Sequence, residues 1–341
     1  MCSGNRIPAA ALAGLLLLAS AAAAIAQDDG DGAGLLGLTI PIGARPVGQG
    51  RAIAAVRGEL QGAPYNPASL VGLERGSLTY SRYEAADLAE LNSNYLAGAY
   101  VTAWGTIGAT AVYQDYGQIP LTIDSPEPIG TVDLNEWSIG VTYANEWRDR
   151  LAYAATAKWV RSDFGVVEAS GPAFDLGVIY SPRPTLPMSF AISLRNLGPD
   201  LDFEDGDVAF PGGGGGDGGE PRQESLPSRV RVGLSAHPDE FLGLPPDFRV
   251  QLLFDIESDL RELSTSSQHA GASLILHDVV VLRGGVLLAD NPFIESGEGD
   301  RQFGGSFGIG FRHAGFEADI AREVSVSELG DETHFGVGYR F

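Results

Sequence analysis

Five histidines, His237, His269, His277, His313 and His334, and a lone cysteine, Cys2, are the side chains of this 341-residue chain with the widest chemical range. No His-x-Glu pair or metal-ligand spacing joins them, so no metal site follows. Nucleophilic catalysis needs a serine beside a base that a third group orients, and the sequence sets out no such trio. The chain reads as a non-enzyme without a cofactor. The acidic stretch from Leu197 to Leu226, with Asp200, Asp202, Glu204, Asp205 and Asp207, offers oxygen donors for Ca²⁺ but no fixed ligand spacing, and a solvated loop is the simpler reading. Gly48-x-Gly50 lacks the strand-turn-helix setting of a dinucleotide fingerprint. Two features remain. Arg45 and Arg51 lie in a Gly- and Pro-dense segment, where they could meet an anionic head group or pair with carboxylates such as Glu317 or Asp319. In Asn66-Pro67-Ala68, Asn66 can cap a helical turn that Pro67 opens at its first position.

The elements that position these residues begin with a secretory signal. Arg6 precedes an apolar run from Ala9 to Ile25 that ends at Ala24-Ile25-Ala26, ahead of Gln27-Asp28-Asp29, so residues 1–26 are expected to be cleaved, taking Cys2 with them. A cysteine-free mature chain excludes disulfides and thiol chemistry. Formal net charge is −22, from Lys+Arg 22 against Asp+Glu 44, which argues against nucleic acid as a partner. Beyond the signal there is no apolar run long enough for a spanning helix, so a membrane form of this chain must be a barrel.

Gln27 to Gly37 reads as a mobile leader and Ala52 to Leu60 as a short helix. Residues 27–75 together form a compact segment without strand alternation, and at the head of a barrel such a segment is most simply a lumen plug. From Gly76 onward the pattern has period two. Fourteen runs can be counted: 76–83, 94–102, 104–115, 134–145, 150–161, 173–181, 187–196, 227–237, 247–257, 267–277, 279–288, 302–312, 314–323 and 332–341. An even count suits a single-chain barrel, and short turns alternate with long connections at 116–133, 197–226 and 290–301. In the last run Phe335, Val337, Tyr339 and Phe341 share one face and His334, Gly336, Gly338 and Arg340 the other. An aromatic end of this kind suits a closing outer-membrane strand, with Phe335, Tyr339 and Phe341 facing lipid and the strand pairing with that near Gly76. Leu274-Ile275-Leu276 and Val279-Val280-Val281-Leu282 are apolar on both faces, so part of the lumen is expected to be greasy. The fold class is therefore an all-β, 14-stranded antiparallel transmembrane barrel with an N-terminal plug.

Three stretches carry a family resemblance. Gly43-Ala44-Arg45-Pro46, Gly48-Gln49-Gly50-Arg51-Ala52 and Asn66-Pro67-Ala68-Ser69-Leu70 resemble the N-terminal region of PorV/PorQ-type proteins of the FadL superfamily. Phe174 to Tyr180, Ser193 to Gly198 and Leu226 to Leu234 are similar to the middle of that family, and Gly310 to Phe335 to its closing hairpin. The resemblance implies a hatch formed by Arg45, Gly48, Gly50, Arg51, Asn66, Pro67 and Ala68, and a monomeric barrel in outer-membrane lipid. Its PorV-like branch implies a role in type IX-like secretion, with exported cargo proteins and a translocon as partners. The FadL-like branch implies inward transport of a hydrophobic ligand, such as a long-chain fatty acid, through a lumen pocket and a lateral opening.

Overall fold

Alternation of bulky apolar side chains with small or polar ones gives each strand two unlike faces, and the sheet curls until its polar face is enclosed. The structure, a computed structural model, describes residues 35–85, 91–121, 128, 130–165, 167–182, 187–205, 222–245, 247–261, 263, 266–290, 301–325 and 331–341. The expected signal at 1–26, most of the leader and the Gly-rich run Gly212 to Gly216 lie outside the described residues.

The strands are β1 (Gly76–Ala85), β2 (Asn92–Thr102), β3 (Gly105–Leu121), β4 (Gly130–Trp147), β5 (Leu151–Asp163), β6 (Val167–Tyr180), β7 (Met188–Leu197), β8 (Leu201–Asp205), β9 (Arg222–Glu224), β10 (Arg229–Ala236), β11 (Phe248–Asp259), β12 (Ser266–Leu276), β13 (Val280–Asp290), β14 (Arg301–His313), β15 (Phe316–Ser325) and β16 (Glu332–Arg340). Fourteen of them pair antiparallel around a closed 14-stranded barrel, and β8 and β9 form a short ribbon at one rim. Closure joins β1 to β16 with Leu78 opposite Tyr339. Gly76 and Phe341 exchange both backbone hydrogen bonds, at 3.2 and 3.1 Å. Phe341 stacks beside Tyr339 and Tyr100, and its ring occupies the space that a Cβ on Gly76 would need.

The rim with the chain end carries tight turns. Arg148-Asp149, His277-Asp278 and Ala314-Gly315 each have two consecutive residues with positive φ, the backbone twist that two-residue hairpins require. Outward positions carry an apolar belt that includes Leu96, Ile139, Phe174, Val232, Phe307 and Val337, all exposed. Trp104, Trp147, Phe316 and Phe341 stand exposed near the tight-turn rim.

Several expectations need correction. Residues 116–121 are strand: β3 continues past a bulge between Asp115 and Gln118 and pairs as far as Leu121 with Gly130. The stretch 116–133 reads as a long connection, but the positive φ of Gly117 serves the bulge. The connection between 197 and 226 contains β8 and β9. Ala52 to Leu60 is not a helix; a helical turn forms instead at Ala44–Gly48, and a 3-10 turn at Leu60–Gly62. The Gly58 and Glu59 N–H groups, which a helix over these residues would have used, donate instead to the Val71 and Ser69 carbonyls at 2.8 and 3.1 Å, while the Ile53 and Ala54 N–H groups both donate to Asp255 Oδ2 at 2.9 Å. The end of the leader is held: Leu35 is buried and Gly37 N–H donates to Glu136 at 2.8 Å.

Candidate functional site

Residues 35–75 run through the inside of the barrel. Two unlike walls hold them.

Along β10 to β16 the wall is ionic. Arg45, from the turn Ala44–Gly48, is 3% exposed and pairs with Asp319 at 3.0 Å, Glu317 at 3.1 Å and its own segment's Glu59. Burial would push the Glu59 carboxyl up, but the charges of Arg45, Arg340 and Arg312 outweigh it and hold the group below the ordinary glutamate range. Arg51 pairs with Glu323 at 2.6 Å and Glu332 at 3.6 Å. Arg231 reaches Asp255 at 3.1 Å and Glu257 at 2.6 Å while donating to the Arg51 carbonyl at 2.7 Å. His269 Nδ1 lies 2.9 Å from the Gly50 carbonyl oxygen. Buried charges are tolerated only when paired, so the contacts of Arg45 with Asp319 and Glu317, of Arg51 with Glu323 and Glu332, and of Arg231 with the Arg51 carbonyl tie segment to wall.

Glycines set the spacing there. Gly48 packs so closely on β14 that its Cβ would sit 3.3 Å from Gly308 Cα. Gly50 has φ +64, and a Cβ there would lie 2.7 Å from the Ala270 carbonyl and 2.8 Å from Val286 N. From the wall side, a Cβ on Gly271 or Gly285, which face each other across β12 and β13, would overlap the Gln49–Gly50 backbone.

Along β2 to β7 the wall is small and apolar. Leu60, Ala63, Ala68, Leu70 and Val71 pack against Tyr95, Ala97, Ala99, Ala144, Ala152, Ala154, Ile179 and Ala191. Asn66, fully buried, accepts from Ala68 N–H at 3.0 Å, as a cap should, and donates to the Ala54 carbonyl at 2.8 Å and the Val178 carbonyl at 3.3 Å. Pro67 opens the turn Pro67–Leu70. Gly177 makes room, since a Cβ there would lie 2.9 Å from Pro67 Cδ and overlap Asn66 Oδ1.

A cavity of about 340 Å³ remains on the tight-turn side of the segment, lined by Arg45, Glu59, Arg283, Arg312 and Arg340 among others. Ile275 and Val281 reach it, so the apolar stretch at β12 and β13 does meet the lumen, but charged groups surround it.

The opposite rim holds an apolar cluster instead: Leu35, Val160, Ala169, Ala173, Leu201 and Leu226, with Leu38 and Phe203 packed on it. It lies behind a seam in the wall. On its β7 side, β6 is paired from Phe174 to Tyr180, and β8 resumes pairing only at Val167 and Glu168. Residues 169–173 thus have no ladder partner on that edge, where the chain runs through Gly198, Pro199 and Asp200. Leu201 lies against Gly171, and Leu226 against Gly198. A pocket of about 250 Å³ opens at this seam, lined by Gly171, Pro172, Pro199 and Leu201.

Arg45, Gly48, Gly50, Arg51, Asn66, Pro67 and Ala68 therefore all sit on the inserted segment, in contact with one wall or the other, while Phe335, Tyr339 and Phe341 face outward, exposed, at the closing strands. Sequence reasoning passed over Glu59, Arg283, Arg312, Arg340 and the wall glycines. The inward period of β13 to β16 marks the arginines as lumen-facing, but a lone glycine in a strand gives no sign that another backbone lies on it.

No family model and no curated protein sequence matches the chain. Solved structures of like fold include the CymD monoaromatic hydrocarbon channel, at 14% identity and a TM-score of 0.61, covering 91% of this chain and 99% of that one. The toluene transporter TodX of P. putida aligns at 12% identity and a TM-score of 0.55, covering 88% of this chain and 98% of that one. A Pseudomonas aeruginosa FadL homologue aligns at 11% identity and a TM-score of 0.53, with coverage of 88% and 98%. At such identity the likeness establishes the barrel fold.

Proposed function

We propose that this chain is an outer-membrane barrel that passes hydrophobic small molecules, with residues 35–75 as its hatch. One observation carries this reading: the apolar cluster of Leu35, Val160, Ala169, Ala173, Leu201 and Leu226 adjoins a stretch of β6 without ladder pairing on its β7 side. An apolar solute would find a compatible surface there and a wall laddered on its β5 side only. The way straight through is unfavourable for it, because the cavity under the hatch is lined by arginines. The favoured route therefore enters at the rim of β8 and β9 and leaves sideways between β6 and β7, with the Asn66 turn keeping the hatch shut. The apolar belt, with aromatic side chains at the tight-turn rim, supports placement in a membrane with that rim toward the periplasm. The hydrocarbon and FadL-type channels of like fold support transport over secretion.

The test is uptake of labelled toluene and of a long-chain fatty acid by a deletion strain complemented with wild type or with Leu201→Glu. Wild type is expected to restore uptake of at least one, and the variant to lose most of it at equal barrel level. Equal uptake with and without the gene would sink the reading. A second reading, a PorV/PorQ-like accessory in protein secretion or surface attachment, rests on the three sequence stretches resembling that family. Recovery of secreted cargo or a translocon component with the barrel pulled from native membranes would favour it.

A further inference from the structure

Around the cavity beneath the inserted segment, charge does not balance. Four guanidiniums, Arg45, Arg283, Arg312 and Arg340, share three carboxylates, Glu59, Glu317 and Asp319. Asp319 is divided between Arg45 at 3.0 Å and Arg283 at 2.7 Å. Glu317 serves Arg45 at 3.1 Å, Arg340 at 3.0 Å and Arg312 at 3.4 Å. Two further arginines of the lining, Arg57 and Arg249, have their own partners in Glu146 and Asp278 and add no deficit. The inner cluster is left with one surplus positive charge in a chain whose overall charge is strongly negative.

The surplus coincides with an unused donor. The Arg283 side chain is 1% exposed, yet its Nη2 has no hydrogen-bond partner among the described residues, while Arg312 Nε and Arg340 Nε share a single carboxylate oxygen, Glu317 Oε1, at 3.4 and 3.0 Å. Buried N–H groups of charged side chains are costly to leave unsatisfied, and guanidiniums favour planar oxyanions that accept two hydrogen bonds at once. All three arginines line the same cavity, and its volume of about 340 Å³ leaves room for a ligand rather than an ion alone.

We propose that this cavity is a binding site for a small oxyanion, a carboxylate or phosphate group, held between Arg45 on the inserted segment and Arg283, Arg312 and Arg340 on the wall. The bound anion completes the charge balance and pins segment to wall from the tight-turn side. Its existence does not depend on what crosses the barrel. The same group could arrive as free phosphate or as the head of a short amphiphile.

The experiment is calorimetric titration of the purified full-length barrel, in a non-ionic detergent, with inorganic phosphate and separately with hexanoate. At least one probe is expected to bind saturably, and Arg283→Gln to weaken it by about tenfold, the loss of a charge-assisted hydrogen-bonding partner. Arg82→Gln, at an exposed pair with Glu84, should leave binding unchanged. Should Arg283→Gln fail to give the heat-modifiable folded barrel, Arg312→Gln, at the more accessible edge of the cluster, is expected to show the same loss. Binding of phosphate alone identifies a free-ion site, and binding of hexanoate alone identifies a head-group site. Absence of saturable binding by both probes in the wild type, or wild-type affinity in a folded arginine variant, overturns the proposal.

Discussion

The two halves of the lumen hold one inserted segment by opposite means. Against β2 to β7 contact is made mostly by alanines and a few larger apolar side chains, with polar ties that include those of Asn66, those of Glu136, Ser193 and Arg195 to segment backbone, and the Arg57–Glu146 pair. Against β10 to β16 it is made by ion pairs and by glycine backbones that touch the segment's own backbone. An apolar contact loses little when it slides, whereas a paired charge or a backbone wedged on glycine has one arrangement that works. The ionic half therefore fixes position, and the apolar half supplies burial while tolerating displacement.

Substitutions can break or sharpen that contrast. The largest effect is expected from Gly285→Val, whose side chain would meet the Gly50 backbone with nothing flexible to yield. Segment 35–75 should leave the lumen and become cleavable by limited proteolysis, with stability reduced by more than about 3 kcal/mol. Asp255→Ala removes the acceptor for two segment N–H groups and one partner of Arg231, for about 3–5 kcal/mol in thermal unfolding. On the apolar wall, Leu70→Ala should cost about 2–4 kcal/mol yet leave the proteolysis pattern unchanged, because the ionic half still sets position. If it releases the segment as Gly285→Val does, the division of labour is wrong. Asn66→Ala should cost about 1–2 kcal/mol, read from the same melts. Removal of Phe341 should lower the amount of assembled barrel while changing the stability of assembled molecules by less than about 1 kcal/mol, the surface range.

The barrel was largely legible in the sequence because its signal is local. Each of Phe335, Val337 and Tyr339 tells which face is outward without knowledge of any other strand. The extension of β3 to Leu121 was hidden by Gly117, whose positive φ serves a bulge, and by Pro120, which sits beyond it in register opposite Thr131. Arg45 and Asn66 stood out through their neighbours in the chain, and Glu317 and Asp319 as carboxylates that could pair with Arg45, whereas Arg283 did not. Arg283 acquires meaning only once the fold brings Asp319, 274 positions further along the chain, to Arg45. Gly271 and Gly285 are legible only as a cross-strand pair. Ala52 to Leu60 misled because Gly58 turns the chain at positive φ and the Gly58 and Glu59 N–H groups are taken by Val71 and Ser69 rather than by the preceding turn.

The glycine contacts also dictate an order of events. A segment whose backbone is seated on Gly271 and Gly285 at one wall and capped against Val178 at the other cannot be slipped into a finished cylinder, since no side chain can fold aside to let it by. Its chain runs directly into β1, whose pairing with β16 spans the greatest sequence separation in the sheet and so costs the most loop-closure entropy. The sheet is expected to wrap around a segment already in place, with zipping of Gly76 to Phe341 as the step that imprisons it.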